Sequence, residues 1–191
     1  MEWHPTPEAR RLHDSLKWAT YPAGELPLWV ADMDCAPPPV VHQVLTQALD
    51  HGIFGYGREP QGFRDAWVDH LKAHHDWAID PDWIVPVAGV VPAMRMALMA
   101  HPEVTDVVTP TPIYPYFRSI PALEARRHHP VALTQESRSP YASLGCDHSA
   151  IAHALAACQG PSAIFWCNPQ NPGGTVYHSG FVRDLIGQAA E

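Results

Sequence analysis

One stretch constrains the fold more than any other: Ala163-Ile-Phe-Trp-Cys167, followed at once by Asn168-Pro-Gln-Asn-Pro-Gly-Gly-Thr175. An apolar run this short, with β-branched and aromatic residues in it, reads as a buried strand. It is hydrophobic at nearly every position because both faces of a parallel sheet are covered. Two Asn-Pro steps stop it. A proline keeps the residue before it out of helical dihedrals, so Asn168 and Asn171 are expected to be extended. Gly173 and Gly174 permit a turn that a Cβ would obstruct. The product is a stiff loop leaving the C-terminal end of a strand, which is where open α/β sheets bind ligands. Asn171 offers one carbonyl acceptor and two N–H donors there. A single loop of this kind also serves as an ordinary turn, so the weight falls on what else the chain supplies.

What precedes it alternates. Residues 1–26 show little periodicity, with Trp3, Trp18 and Tyr21 as apolar anchors, and read as an arm that packs on another domain or subunit. Leu28-Trp-Val30 reads as a short strand. Pro37-Pro-Pro39 opens a helix carrying Val40, Val41, Val44, Leu45 and Leu49 at helical spacing, and Gly52 sits where a C-terminal glycine belongs. After the glycine-rich loop Phe54-Gly-Tyr-Gly57 comes a helix from about Phe63 to His75. Strands are expected at Ile84–Val87, Asp106–Thr109, Arg127–Leu133 and from Ala163. Helices are expected around Met94–Met99, Tyr116–Ala125 (bent or started late because of Pro121), Ser149–Ala157 and from Ser179 onward. Strand–helix alternation from about residue 81 is the signature of a mostly parallel sheet with right-handed crossovers.

Composition narrows the function. The 191 residues are 46% hydrophobic and carry a net charge of -8, with no long basic run, which argues against nucleic acid and anionic membranes as partners. Cys35, Cys146, Cys158 and Cys167 form no C-x-x-C pair and read as reduced thiols of a cytoplasmic protein. Met1-Glu-Trp-His-Pro5 begins no apolar h-region and no stretch approaches membrane-spanning length, so neither a signal peptide nor a transmembrane helix is expected. The 13 histidines include the i,i+4 pair His70 and His74, but no H-E-x-x-H and no Cys/His finger spacing, and no metal site is expected.

Two further loops carry chemistry. At Gly89 a strand pattern turns into a helix, where free backbone N–H groups and the helix dipole make an anion site. It is not a dinucleotide fingerprint, since Gly55-Tyr-Gly57 is followed by Pro60, and no G-K-[ST] marks a P-loop. Tyr114, set in Pro110-Thr-Pro-Ile-Tyr-Pro115, is an aromatic held after a strand, able to stack on a flat ring.

Together with the N-terminal stretch these loops resemble the fold-type I pyridoxal-phosphate (PLP) enzymes of the class I/II aminotransferase superfamily. The similarity rests on Asp14-Ser-Leu-Lys-Trp18, Leu26-Pro-Leu-Trp-Val-Ala-Asp-Met-Asp34, Asp50-His-Gly-Ile-Phe-Gly-Tyr56, Ala88-Gly-Val-Val-Pro92, Thr109-Pro-Thr-Pro-Ile-Tyr114 and Cys167-Asn-Pro-Gln-Asn-Pro-Gly-Gly174, in the family's order. The Trp29–Asp34 stretch points to the carbon–sulfur lyase branch, typified by cystathionine β-lyase.

The resemblance implies an α/β fold of the aspartate aminotransferase kind, a three-layer α/β/α with a mostly parallel sheet, here truncated. Residues 1–52 would be an arm and the start of the small domain, and 53–191 the first part of the large one. Amides of Gly89, Val90 and Val91 would hold the cofactor phosphate, Tyr114 would stack on the pyridine ring, and Asn171 would donate to the phenolic oxygen. Tyr56 would reach the phosphate of the neighbouring subunit of a homodimer, and Trp29, Ala31 and Asp32 would line the amino-acid substrate's side of the pocket. Gly173 departs from the usual threonine, Gln170 from a common histidine and Cys35 from a common aromatic. The Schiff-base lysine, the aspartate paired with the pyridine nitrogen and the carboxylate-binding arginine are all expected beyond Glu191, so no catalytic residue is assigned within the chain. Its two lysines, Lys17 and Lys72, read as solvated. The implied function is a PLP-dependent carbon–sulfur lyase acting on cysteine-type amino acids. A class I/II aminotransferase, or a non-catalytic remnant that binds a phosphorylated ligand or only dimerises, are the alternatives.

Overall fold

The computed structural model describes residues 7–60, 62–135 and 144–190. Trp3, expected as an anchor, lies outside the described residues. The chain forms two compact units, Met1–His70 and Leu71–Glu191, and each is described by itself.

The first unit contains α1 (Pro7–Arg11), α2 (Leu16–Ala19) and α3 (Pro39–His51). The first two are single turns with no periodicity to announce them. α3 starts on Pro39, whose missing N–H is no loss in a first turn, and ends at Gly52, whose φ of 71° is costly for any residue with a Cβ. Its apolar stripe of Val40, Val44, Leu45 and Leu49 is exposed. The strand expected at 28–30 does not form. A strand needs a neighbour for its N–H and C=O groups, and among the described residues no segment pairs with this one. Side chains from α1 and α2 hold the residues that follow it, Asp32 and Asp34, as detailed below.

α4 (Phe63–His75) has the bounds expected and continues into the second unit. Next comes a 3₁₀ turn, Pro81–Trp83, whose N-cap Asp80 accepts from the Asp82 amide at 2.9 Å. The strand expected at Ile84–Val87 is absent for the same reason as 28–30: it finds no partner among the described residues. α5 (Val90–Ala100) follows. β1 (Asp106–Thr111), α6 (Tyr116–Leu123) and β2 (Arg127–Ala132) come next, with Pro121 buried inside α6. A short antiparallel ribbon pairs β3 (Thr134–Gln135) with β4 (Leu144–Gly145). Then come α7 (His148–Ala156), β5 (Ser162–Ile164) and α8 (Ser179–Ala190).

The sheet order is β2-β1-β5 and both pairings are parallel. Successive residues of a strand face opposite sides, and β1 uses both. Val107 joins Leu98 of α5 and Ile120 of α6 in one core; Val108 joins Val131 of β2, Ile151 of α7 and Leu185 of α8 in the other. Helices therefore cover both faces, which is the three-layer α/β/α expected. The central position of β1 explains why Asp106 to Pro110 are all buried.

β2 is an edge strand. Arg127 N–H donates to the Thr105 carbonyl and Leu133 N–H to that of Thr111, so alternate amides face β1. Pro130 falls between them, and its missing N–H lies on the open side, where no ladder bond is lost.

Candidate active site

Parallel pairing sends the loops after β1 and β5 out of the same end of the sheet. The first carries Tyr114 and the second Asn171. α5 packs on the sheet through Val91, Met94 and Leu98, which meet Val107 and Ile120. Toward its end the Leu98 carbonyl accepts Arg126 Nη2 at 3.4 Å, and in mid-helix Arg95 Nε donates to Glu124 Oε1 at 2.5 Å. Gly89 is the residue that opens this eleven-residue helix.

Gly89 is the N-cap of α5 with φ 143° and ψ 171°, a backbone conformation that side-chain-bearing residues rarely adopt. No side chain caps the helix and no acidic residue occupies its first turn. Among the described residues the amides of Val90 and Val91 thus meet no side-chain cap and no acidic residue of their own first turn, which suits an anion. Val91 and Met94 pack into the core beneath and fix the turn.

Tyr114 is 41% exposed, between buried Ile113 and a helix start that accepts the Phe117 amide on the Tyr114 carbonyl at 3.0 Å. Its ring meets that of Tyr116 at 5.3 Å. Asn171 is exposed, and among the described residues its carboxamide has no partner. Asn168 acts differently, since its Oδ1 accepts the Tyr177 amide at 3.1 Å and folds the chain back after the loop. The bonds Thr111–Pro112, Asn168–Pro169 and Asn171–Pro172 are cis.

Gln170 joins the two loops. It is 4% exposed, and its Nε2 donates to the Pro112 carbonyl at 2.7 Å and to the Asn171 carbonyl at 3.1 Å, while its Oε1 accepts the Gly173 amide. A Cβ on Gly173 would stand 2.5 Å from that Oε1 and 2.9 Å from Leu144 Cβ. The two departures from the family pattern at 170 and 173 are thus one packing solution. Nothing in the sequence marked Gln170 as more than a loop residue.

In the other unit, Trp29 and Tyr56 are exposed and so are Ala31 and Asp32. Trp29 walls an open cleft of about 360 Å³ with Tyr21, Glu25 and Leu28. Lys17 is not solvated as expected: it is 9% exposed, its Nζ 2.6 Å from the Asp32 carbonyl and 2.8 Å from Asp34 Oδ2. Asp34 also accepts Trp18 Nε1 at 2.9 Å and Arg10 Nε at 2.8 Å. The Lys17 and Trp18 bonds hold its carboxyl down at about 2. Lys72 is exposed, as expected, and pairs with Asp76.

At the far end of the sheet Asp106, wholly buried, binds the Arg127 guanidinium at 2.6 and 2.7 Å and the Thr105 hydroxyl at 2.7 Å, and lies 2.7 Å from His129 Nε2. The bonds from the arginine depress its pKa, outweighing burial, which raises it, and the Thr105 and His129 bonds add to the depression. Asp106, His129 and Cys158 group their ligand atoms within 4.8 Å, but Arg127 already supplies the cation.

Comparison with known proteins adds identity to this geometry. Residues 26–191 match the family described as aminotransferase class I and II. The chain is 27% identical over 188 residues to cystathionine beta-lyase of Corynebacterium glutamicum, covering 97% of this chain and 48% of that protein. To cystathionine beta-lyase of Bacillus subtilis it is 36% identical over 154 residues, 78% of this chain and 38% of that one. The crystal structure of a putative PLP-dependent beta-cystathionase from Corynebacterium diphtheriae superposes with a TM-score of 0.85 at 28% identity, over all of this chain and 48% of the other. Cystalysin from Treponema denticola, which contains pyridoxal 5'-phosphate, gives 0.83 at 25%, over 100% and 49%. The chain spans about half the length of these relatives.

Proposed function

Because the chain belongs to the class I and II aminotransferase family, we propose that it is part of a PLP-dependent carbon–sulfur lyase of the cystathionine β-lyase type, acting on cysteine-type amino acids. The observation that supports this reading is the pair of loops that leave one sheet end tied by Gln170, with the Gly89 helix start on a helix packed against the same sheet. They suit the cofactor: an uncapped, uncharged helix start for its phosphate, an exposed tyrosine ring for its pyridine, and an unpartnered carboxamide for its phenolic oxygen.

When bound, PLP supplies the electron sink that makes cleavage at the substrate's Cβ possible. This chain's residues bind and orient it. Gly89, Val90 and Val91 amides hold the phosphate, Tyr114 covers the ring, and Asn171 donates to the phenolic oxygen and favours its ionised form. Tyr56 serves the neighbouring subunit of a homodimer, and Trp29, Ala31 and Asp32 face the substrate. Lys17 and Lys72 are committed to Asp34 and Asp76, so neither is assigned the family's catalytic role. We assign 1–52 to the arm and the start of the small domain and 53–191 to the first part of the large domain. Four free cysteines support a cytoplasmic setting. No helix among the described residues is long and apolar enough to cross a membrane.

The test uses the protein of the full reading frame with cystathionine and no keto acid. Pyruvate, ammonia and a thiol are the expected products. A requirement for 2-oxoglutarate, with glutamate accumulating, would replace the lyase with an aminotransferase. Binding of PLP with neither reaction would favour the non-catalytic alternative.

A further inference from the structure

The segment proposed to face the substrate has no strand to stiffen it, so something else must fix where Trp29 and Asp32 stand. We infer that Lys17 is a positioning residue for the substrate side of the site, acting by holding segment 29–34 at both ends. This rests on the reading of Trp29, Ala31 and Asp32 as substrate-lining.

The geometry is that of a clasp. At one end the Lys17 carbonyl accepts the Trp29 indole Nε1 at 3.4 Å. At the other its ammonium donates to the Asp32 carbonyl and the Asp34 carboxylate. A lysine is seldom buried without a partner, and here the anchor is fully satisfied: Asp34 also takes Arg10 and Trp18. Arg10 reaches on to the Asp32 carboxylate at 3.2 Å, which stays 46% exposed. Tyr21 closes the other side, its ring edge-on to Trp29 at 6.4 Å. The bonds to the segment thus leave its outward parts, the indole and one half-open carboxylate, available to a ligand. Asp34 itself is a structural hub, whereas Lys17 bonds to both Trp29 and Asp32, each assigned to substrate.

The experiment uses the full-length, cofactor-loaded protein labelled with 5-fluorotryptophan, and the variants Lys17→Met, Lys17→Arg and Trp29→Phe. Misplacing a binding group while leaving the reacting centre intact raises KM and spares kcat, so Lys17→Met is expected to raise KM for cystathionine about ten-fold, with kcat within about two-fold. The Trp29 fluorine line should move, the cofactor's absorbance should not, and Lys17→Arg should recover part of the loss. A shifted Trp29 line with unchanged KM would overturn the inference and leave Lys17 a mere arm anchor. Should Lys17→Met fail to fold, Lys17→Gln keeps an N–H donor without the charge: a rise of about three-fold in KM with kcat kept supports the clasp, and none overturns it; Trp29→Phe serves to assign the Trp29 line. If the wild type does not act on cystathionine, the lyase reading fails by itself. The clasp is then judged on glycine affinity, read from the Trp29 line: weaker binding in Lys17→Met supports it and equal binding overturns it.

Discussion

Gln170 and Gly173 offer the sharpest test of how the loops at the sheet's end are held. Gln170→Ala removes three hydrogen bonds from a side chain that is 4% exposed. At about 1 kcal/mol net for each neutral bond, and with the partly buried Pro112 carbonyl and Gly173 amide left to find water, the loss comes to about 2–3 kcal/mol. Gly173→Ala forces a Cβ to 2.5 Å from Gln170 Oε1 and 2.9 Å from Leu144 Cβ. Overpacking of that kind costs about 1–3 kcal/mol. In the double variant the first clash is gone and only the second remains. The two changes should therefore cost less together than their sum, by about 1 kcal/mol or more. Urea unfolding of the wild type, both single variants and the double, followed by circular dichroism, measures the cycle if the slopes agree. Additivity within about 0.3 kcal/mol would refute the idea that glycine stands at 173 because glutamine stands at 170.

Asn171→Ala touches an exposed side chain without a partner among the described residues, so stability should hold within about 0.5 kcal/mol. The pH titration of the bound cofactor's visible band should move; a titration matching wild type would strip Asn171 of its role. Asp106 has a folded pKa below its ordinary 3.8, so its stabilisation is complete above that value and fades as pH falls through the folded one. Asp106→Asn should lower stability at neutral pH by about 2 kcal/mol, discounted because Arg127 is half exposed, and flatten the acid limb of a stability–pH curve. An unchanged acid limb would count against the pair. Among the described residues the Tyr177 hydroxyl is buried without a hydrogen-bond partner, and burial pushes its pKa up to about 12. Tyr177→Phe should then leave stability unchanged or raise it by up to about 1 kcal/mol, read as the melting temperature. A clear loss would mean the hydroxyl has a partner.

The elements legible in the sequence were those whose signal is local. α3 and α4 announced themselves by apolar spacing and by Pro39 and Gly52, and β1 by its apolar run. The missed strands at 28–30 and 84–87 have apolar sequence but no neighbour among the described residues, and pairing is not a local property. The site followed the same division. Gly89 was marked by its place at the start of a helix pattern, and Asn171 by its prolines. Lys17 was misread because nothing in the sequence says that Asp34 and the Asp32 carbonyl will be there to receive its ammonium. Gln170 stood out only as a departure from a common histidine, and its role stayed hidden because what it holds is a carbonyl 58 residues away.

Pro130 gives the sheet a direction of growth. With Pro130 between the outward amides of His128 and Ala132, any strand arriving on that side would meet a gap in the middle of its ladder. β5 contains no such interruption. New strands, whether from more of the same polypeptide or from a stray copy, can zip onto the β5 flank but not onto the β2 flank. Open-ended stacking of sheets, which needs two receptive flanks on every molecule, is therefore closed off at one side. A single imino acid acts as the stop that keeps an addition reaction from becoming a polymerisation.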